Sequence, residues 1–145
     1  MPVQDFIGTY TTRTALGYAG MIAESQIVKD VASKAVTTAV VPFGVAVGAG
    51  AADGTCRLGG TGYLGITVAD KSRAADQYAV GEMAGVLRKG TIWVAVGADV
   101  DPADTVYFVP ATGVITSVLT DNTAIPGAKF ETTATSGNLA RVYLG

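Results

Sequence analysis

The sequence predicts an all-β protein: a small β-barrel or β-sandwich of short antiparallel strands, with an extended N-terminal arm and little helix. Three observations carry the prediction. Nineteen glycines punctuate the 145 residues. The apolar residues fall in short runs rather than at helical spacing. Turn dipeptides separate those runs at intervals of roughly 8 to 12 residues, as in barrels and sandwiches.

Taken in order, residues 1 to about 30 differ in texture from the rest. Phe6, Ile7, Tyr10, Leu16, Tyr18, Met21 and Ile22 are scattered among Thr and Gly with neither a 3.6 nor a 2.0 period. This stretch reads as an arm, or else as a first strand segment tucked onto a single β domain of residues 31–145. Strands are predicted near Ala35 to Val41, Phe43 to Val47, Tyr63 to Ala69, Met83 to Leu87 and Thr91 to Val96. Further strands follow near Thr105 to Val109, Val114 to Leu119, Lys129 to Ala134 and Leu139 to Leu144. Between them stand Asp53-Gly54, Gly59-Gly60, Lys89-Gly90, Asp101-Pro102, Thr112-Gly113, Pro126-Gly127 and Ser136-Gly137, which supply the positive or fixed φ that a reversal needs. The weak helical candidates, Gln26 to Lys34 and Ser72 to Gln77, are too short to cover a parallel sheet, which disfavours an α/β fold. Ile92-Trp93-Val94-Ala95-Val96 is apolar on both faces, so it needs cover on two sides. A second copy of the chain and an arm or loop of the same chain are equally good sources of that cover.

Composition narrows the function. Only 15% of residues are charged, against a typical ~25%, which favours a protein with partners. A net charge of −2 argues against binding a phosphate backbone, which calls for a Lys/Arg excess on one face. The chain contains no His, so Ser-His and Cys-His nucleophiles and His-ligated metals are excluded. Cys56 is the one cysteine and reads as a small half-buried thiol. With no basic n-region and apolar h-region at the N-terminus, and no run of about eighteen apolar residues, the chain is expected to be soluble and to stay where it is made.

Candidate chemistry fails on spacing. Phe43-Gly44-Val45-Ala46-Val47-Gly48-Ala49-Gly50 looks like the entry to a dinucleotide site, but Asp53 holds the third glycine position and no helical periodicity follows. It is read as a strand running into a reversal at Asp53-Gly54, with a loop from Gly48 to Gly62 before the next strand. Asp99, Asp101 and Asp104 suggest calcium, yet Pro102 and Ala103 interrupt the ligand order and no Glu closes the loop, so a solvated turn is expected. Glu24, Glu82 and Glu131 occur singly and nominate no acid/base pair. No catalytic, cofactor-binding or metal-ligating residue is assigned, and no cofactor is expected.

The order of the runs carries a resemblance. Gly17-Tyr18-Ala19-Gly20-Met21-Ile22-Ala23, Val41-Pro42-Phe43-Gly44-Val45-Ala46-Val47 and Leu64-Gly65-Ile66-Thr67-Val68-Ala69-Asp70 resemble the structural cement, or capsid decoration, proteins of tailed bacteriophages. The likeness continues through Val86 to Val94, Asp104 to Phe108, Ala124 to Phe130 and Leu139 to Gly145. It covers nearly the whole chain, and is weakest at Gln26 to Val36 and Lys71 to Val80. The resemblance implies a non-enzymatic virion protein on the outer surface of the capsid, made in the host cytoplasm. It further implies a homotrimer that binds the major capsid protein at three-fold and quasi-three-fold positions, with neither nucleic acid nor membrane as partner. On this reading Phe6, Ile7, Tyr10, Leu16 and Tyr18 would contact the capsid, while Trp93 and Tyr107 would contact another subunit. The alternative is a virion-surface adhesion module that stacks glycans on Tyr63, Tyr78 or Tyr143.

Overall fold

A computed structural model describes residues 17–23, 30–72 and 75–144. All regular elements among them are β-strands. Five form a closed barrel: β1 (Asp30–Val36), β3 (Ala46–Ala49), β4 (Thr55–Leu58), β5 (Tyr63–Thr67) and β7 (Met83–Lys89), in the order β1-β4-β3-β5-β7. Five more make a second sheet in the order β10-β9-β11-β12-β8. These are β8 (Thr91–Ala95), β9 (Thr105–Phe108), β10 (Ile115–Thr116), β11 (Thr123–Phe130) and β12 (Leu139–Tyr143). The short pair β2 (Val41–Pro42) and β6 (Gln77–Tyr78) stands apart as its own two-stranded sheet.

Alternation along the strands explains how the two sheets share cores. In β7, Ala84 and Val86 point into the barrel while Leu87 points out into the core of the second sheet. In β3, Val47 faces the barrel interior and Ala46 faces out. β5 breaks step: Tyr63 packs towards the second sheet, Leu64 towards the barrel and Ile66 towards the second sheet again. The β3–β5 register shifts at the same place, between Val47 and Gly48, as a bulge requires. The barrel thus turns one outer wall, Ala46, Ile66 and Leu87, onto Ile92, Val94, Phe108, Ile115 and Phe130.

Several expectations are corrected. The stretch from Gly48 to Gly62 is not one loop, because Thr55–Leu58 forms β4 and pairs with both β3 and β1. The β1–β4 pair is parallel, so the barrel is not wholly antiparallel. The helical candidate Gln26 to Lys34 falls partly in β1, whose antiparallel pairing with β7 overrides any local helical preference; its remaining residues, and two of Ser72 to Gln77, lie outside the described residues. Phe43 and Gly44 form a turn between β2 and β3 rather than the start of a strand. Pro126-Gly127 does not end a strand: β11 runs through it, with Gly127 at φ 75 and a register shift against β9 between Ala124 and Lys129. Buried positions accordingly switch from Ile125 to Ala128 and Phe130.

Candidate functional site

The first described residues enter the fold along β8. Gly20 N–H donates to the Trp93 carbonyl at 2.8 Å, Trp93 N–H to the Met21 carbonyl at 2.9 Å, and Ala23 N–H to the Thr91 carbonyl at 2.8 Å. Ile22 and Ile92 complete an antiparallel bridge. On its other side Gly20 accepts from Ala69 N–H at 2.8 Å, which ties the segment to the barrel as well. Residues 17–23 therefore cover an edge that β8 would otherwise present to solvent.

Glycine is required at two points of this seam. Gly17 lies so close to the indole of Trp93 that a Cβ would sit 2.6 Å from its Cδ1. Gly20 has φ +83, and a Cβ there would approach Ala69 N to 2.7 Å. Trp93 is left only 9% exposed, with this segment of the same chain supplying cover on one side. Tyr18 stands at the outer end of the seam, 41% exposed, with the Lys71 ammonium 4.0 Å from its ring centroid. Phe6, Ile7, Tyr10 and Leu16 lie outside the described residues.

A second surface lies across β9. Val106 and Phe108 are buried, so Tyr107 faces outward and is partly exposed. β10 and β11 pair on opposite sides of β9, so the connection Ser117 to Asn122 must cross that strand. It carries Val118 and Leu119, 45% and 68% exposed, followed by Asp121 at φ 60. Ser117 Oγ donates to the Asp99 carbonyl at 2.8 Å and Asn122 Nδ2 to the Val118 carbonyl at 3.0 Å, so the crossing is braced at both ends.

A third feature is a groove of about 360 Å³ between the barrel and the β9–β10 turn, lined by Thr38, Ala39, Arg57, Leu58, Thr61 and Pro110. Among the described residues Arg57 Nη2 reaches Thr61 Oγ1, at 3.4 Å, and no ion pair engages it. Its guanidinium lies over Gly60, where a Cβ would come within 2.7 Å of Nε. Thr38 holds φ 75, a strained conformation for a β-branched residue.

The nominated chemistry is used elsewhere. Asp104 Oδ2 accepts from Asp101 N–H at 2.9 Å and Asp99 Oδ1 from Ser136 N–H at 3.0 Å, so these carboxylates hold turns. Among the described residues no three metal-ligating side chains converge. Cys56 is fully buried, more so than its sequence context suggested; burial pushes its thiol pKa up, and the nearby Lys34 only partly opposes this. Of the tyrosines considered for glycan stacking, Tyr78 is 2% exposed and donates to the Val68 carbonyl at 2.6 Å. Tyr63 packs on Phe108 at a centroid distance of 5.8 Å with its hydroxyl buried and unpartnered. Only Tyr143 of the three is substantially open, at 41%.

Comparison with protein families decides the relationship. The model of the structural cement protein family (E217 gp24/Pam3 gp6) matches residues 6–145. The chain belongs to that phage cement family. Among solved structures the fold is similar to a chain of the capsid of Myoviridae phage XM1, with TM-score 0.77, 17% identity and 92% of each chain covered. It is also similar to the N base of head fiber gp8.5 of bacteriophage phi29, with TM-score 0.50, 12% identity, and 81% of this chain and 95% of that one covered. Comparison with curated proteins gave no match. Sequence reasoning nominated Tyr18, Trp93 and Tyr107, but missed the groove and the exposed crossing. The groove draws on three connections distant in sequence, while Val118-Leu119 reads as the end of a strand. The one available signal was the polar run Thr120-Asp121-Asn122 directly after that apolar dipeptide.

Proposed function

We propose that this cement protein decorates and stabilises the phage head, binding the outer surface of the assembled major capsid protein lattice as a trimer at three-fold and quasi-three-fold positions. The observation that carries the reading is the family match over residues 6–145. The seam at Trp93 supports it mechanically: an arm that grips a neighbouring protein must be fixed at its root, and residues 17–23 are hydrogen-bonded to β8 and to the connection that follows β5. Capsid contact is assigned to Phe6, Ile7, Tyr10, Leu16 and Tyr18, and subunit contact to Tyr107. Trp93, first considered for subunit contact, is assigned to seating the arm.

The mechanism is linkage. A protein that binds only the assembled lattice lowers its free energy relative to free subunits, by about 4 kcal/mol per site at a free concentration 1,000 times Kd. Joining three arms in one trimer lets individually weak contacts act together through effective concentration. The test is a titration of heads lacking the protein, read by co-sedimentation. Wild-type protein is expected to bind saturably, and a variant lacking residues 2–16 to stay folded but lose binding. Unchanged occupancy by the truncated protein refutes the arm assignment.

A further inference from the structure

We propose that the groove at Arg57 receives the Val118-Leu119 crossing of a second copy of this chain, in a head-to-tail contact with Asp121 of that copy facing Arg57. The inference deepens the trimer part of the proposed function by naming both halves of the interface.

The groove offers apolar walls, Leu58, Pro110 and Ala39, beside one guanidinium without an ion-pair partner among the described residues. Its occupant should therefore be a short apolar projection carrying one uncommitted carboxylate. The crossing meets both requirements. Leu119 is the most exposed large apolar side chain among the described residues, at 68%, and Asp121 follows two positions later with no described ion pair. Other exposed apolar groups fit less well. Val80 and Met83 flank Glu82, whose Oε1 already accepts from Ala79 N–H at 2.6 Å. Tyr143 pairs across the sheet with Lys129, a cation that a groove holding Arg57 would repel.

Backbone strain falls on the same two features. Among the described residues three non-glycines have positive φ, and Thr38 in the groove wall and Asp121 on the crossing are two of them. Such conformations persist only where the surrounding structure holds them, which fixes the shape of both features. In the chain itself Leu119 stays in solvent, so the occupant assigned to the groove is the crossing of another copy. A contact between two different surfaces is heterologous and closes into a ring when its rotation permits, which a cyclic trimer needs. Tyr107, on the strand that the crossing spans, would lie at its margin.

The experiment measures self-association of the full chain by light scattering and sedimentation velocity, with circular dichroism on every variant. Leu119→Glu should weaken association by about 30-fold or more, as for a buried anchor. Arg57→Asp and Asp121→Arg should each weaken it by about tenfold, and the double variant should recover most of the loss. Each site is exposed, so these variants should fold; if one does not, Leu119→Ser and Arg57→Gln should show the same ordering. Single variants that associate like wild type, or a double variant no better than either single one, overturn the proposal. So does a monomeric wild-type protein, or loss of association on deleting residues 2–16, which would make the arm the occupant. Head binding is measured in parallel: variants that associate normally but fail to decorate heads would assign the groove to the capsid, overturning this contact while leaving the cement reading intact.

Discussion

The two cores of the molecule differ in size and in chemistry. The second sheet gathers the larger apolar side chains, Phe108, Phe130, Ile92, Ile115 and Ile125, around one continuous cluster. The barrel interior holds mainly valines and Ala84, with Cys56, Phe43 and Tyr78, and polar groups near it need partners. Thr67 Oγ1 donates to the Pro42 carbonyl at 2.7 Å, and Tyr78 donates to Val68. The Gly17–Ala23 seam and the Arg57 groove both draw on residues of the barrel and its connections. Among the described residues the core at the second sheet holds the larger share of the buried apolar side chains, so it is expected to carry more of the stability than the barrel interior.

The largest expected effect tests that division of labour. Phe108→Ala in the sheet should cost about 3–5 kcal/mol, and Val86→Ala in the barrel about 2 kcal/mol, measured by urea denaturation. A reversed order would make the barrel the centre of stability. The seam gives the next effect. Gly20→Ala meets both the positive φ and the close backbone of Ala69 and should cost about 2 kcal/mol. Gly54→Ala, at φ 73 with nothing within 4 Å of the new Cβ, should cost only about 1 kcal/mol of conformational strain. Equal costs would mean that the seam contributes no packing.

The smallest effects concern two buried hydroxyls. Tyr78→Phe removes a satisfied hydrogen bond and should cost about 1 kcal/mol. Tyr63→Phe removes an unpartnered one and should be neutral or stabilising by up to about 1 kcal/mol. Tyr63 also sets a pH dependence. Burial raises the Tyr63 phenol pKa above 10.0, so its neutral form is favoured by folding. That contribution is fully present below the unfolded pKa and is lost above about pH 10, by up to about 1.4 kcal/mol per pH unit. Stability of Tyr63→Phe should fall less steeply there; identical alkaline limbs would mean that Tyr63 ionises freely in the fold.

Five of the twelve described strands could be read closely from the sequence because β-type runs stand between glycine or proline turns: 63 to 67, 83 to 89, 91 to 95, 105 to 108 and 139 to 143 fall within two residues of expectation. β4 was hidden because Thr55-Cys56-Arg57-Leu58 is only four residues long and sits among glycines that signal a loop. β11 was hidden because Pro126-Gly127 makes a bulge instead of a turn, and local sequence does not separate the two. The irregular spacing at Gly17 to Ala23 reflects a segment held by backbone hydrogen bonds, with Gly17 admitting Trp93 and Gly20 admitting the backbone at Ala69, so no side-chain period was available to find. Tyr18, Trp93 and Tyr107 were visible as aromatic residues, whereas the groove depends on tertiary approach of Thr38, Arg57 and Pro110.

The central claim is that this chain seats a capsid-gripping arm on the edge of β8. Cryo-electron microscopy of heads assembled without the protein, then saturated with wild-type protein or with the variant lacking residues 2–16, tests it most directly. The account predicts trimeric density on the outer surface at three-fold and quasi-three-fold positions, with residues preceding Gly17 lying against the major capsid protein, and bare heads with the truncated chain. Equal density from both proteins, or wild-type density whose N-terminal residues touch no capsid subunit, would contradict it.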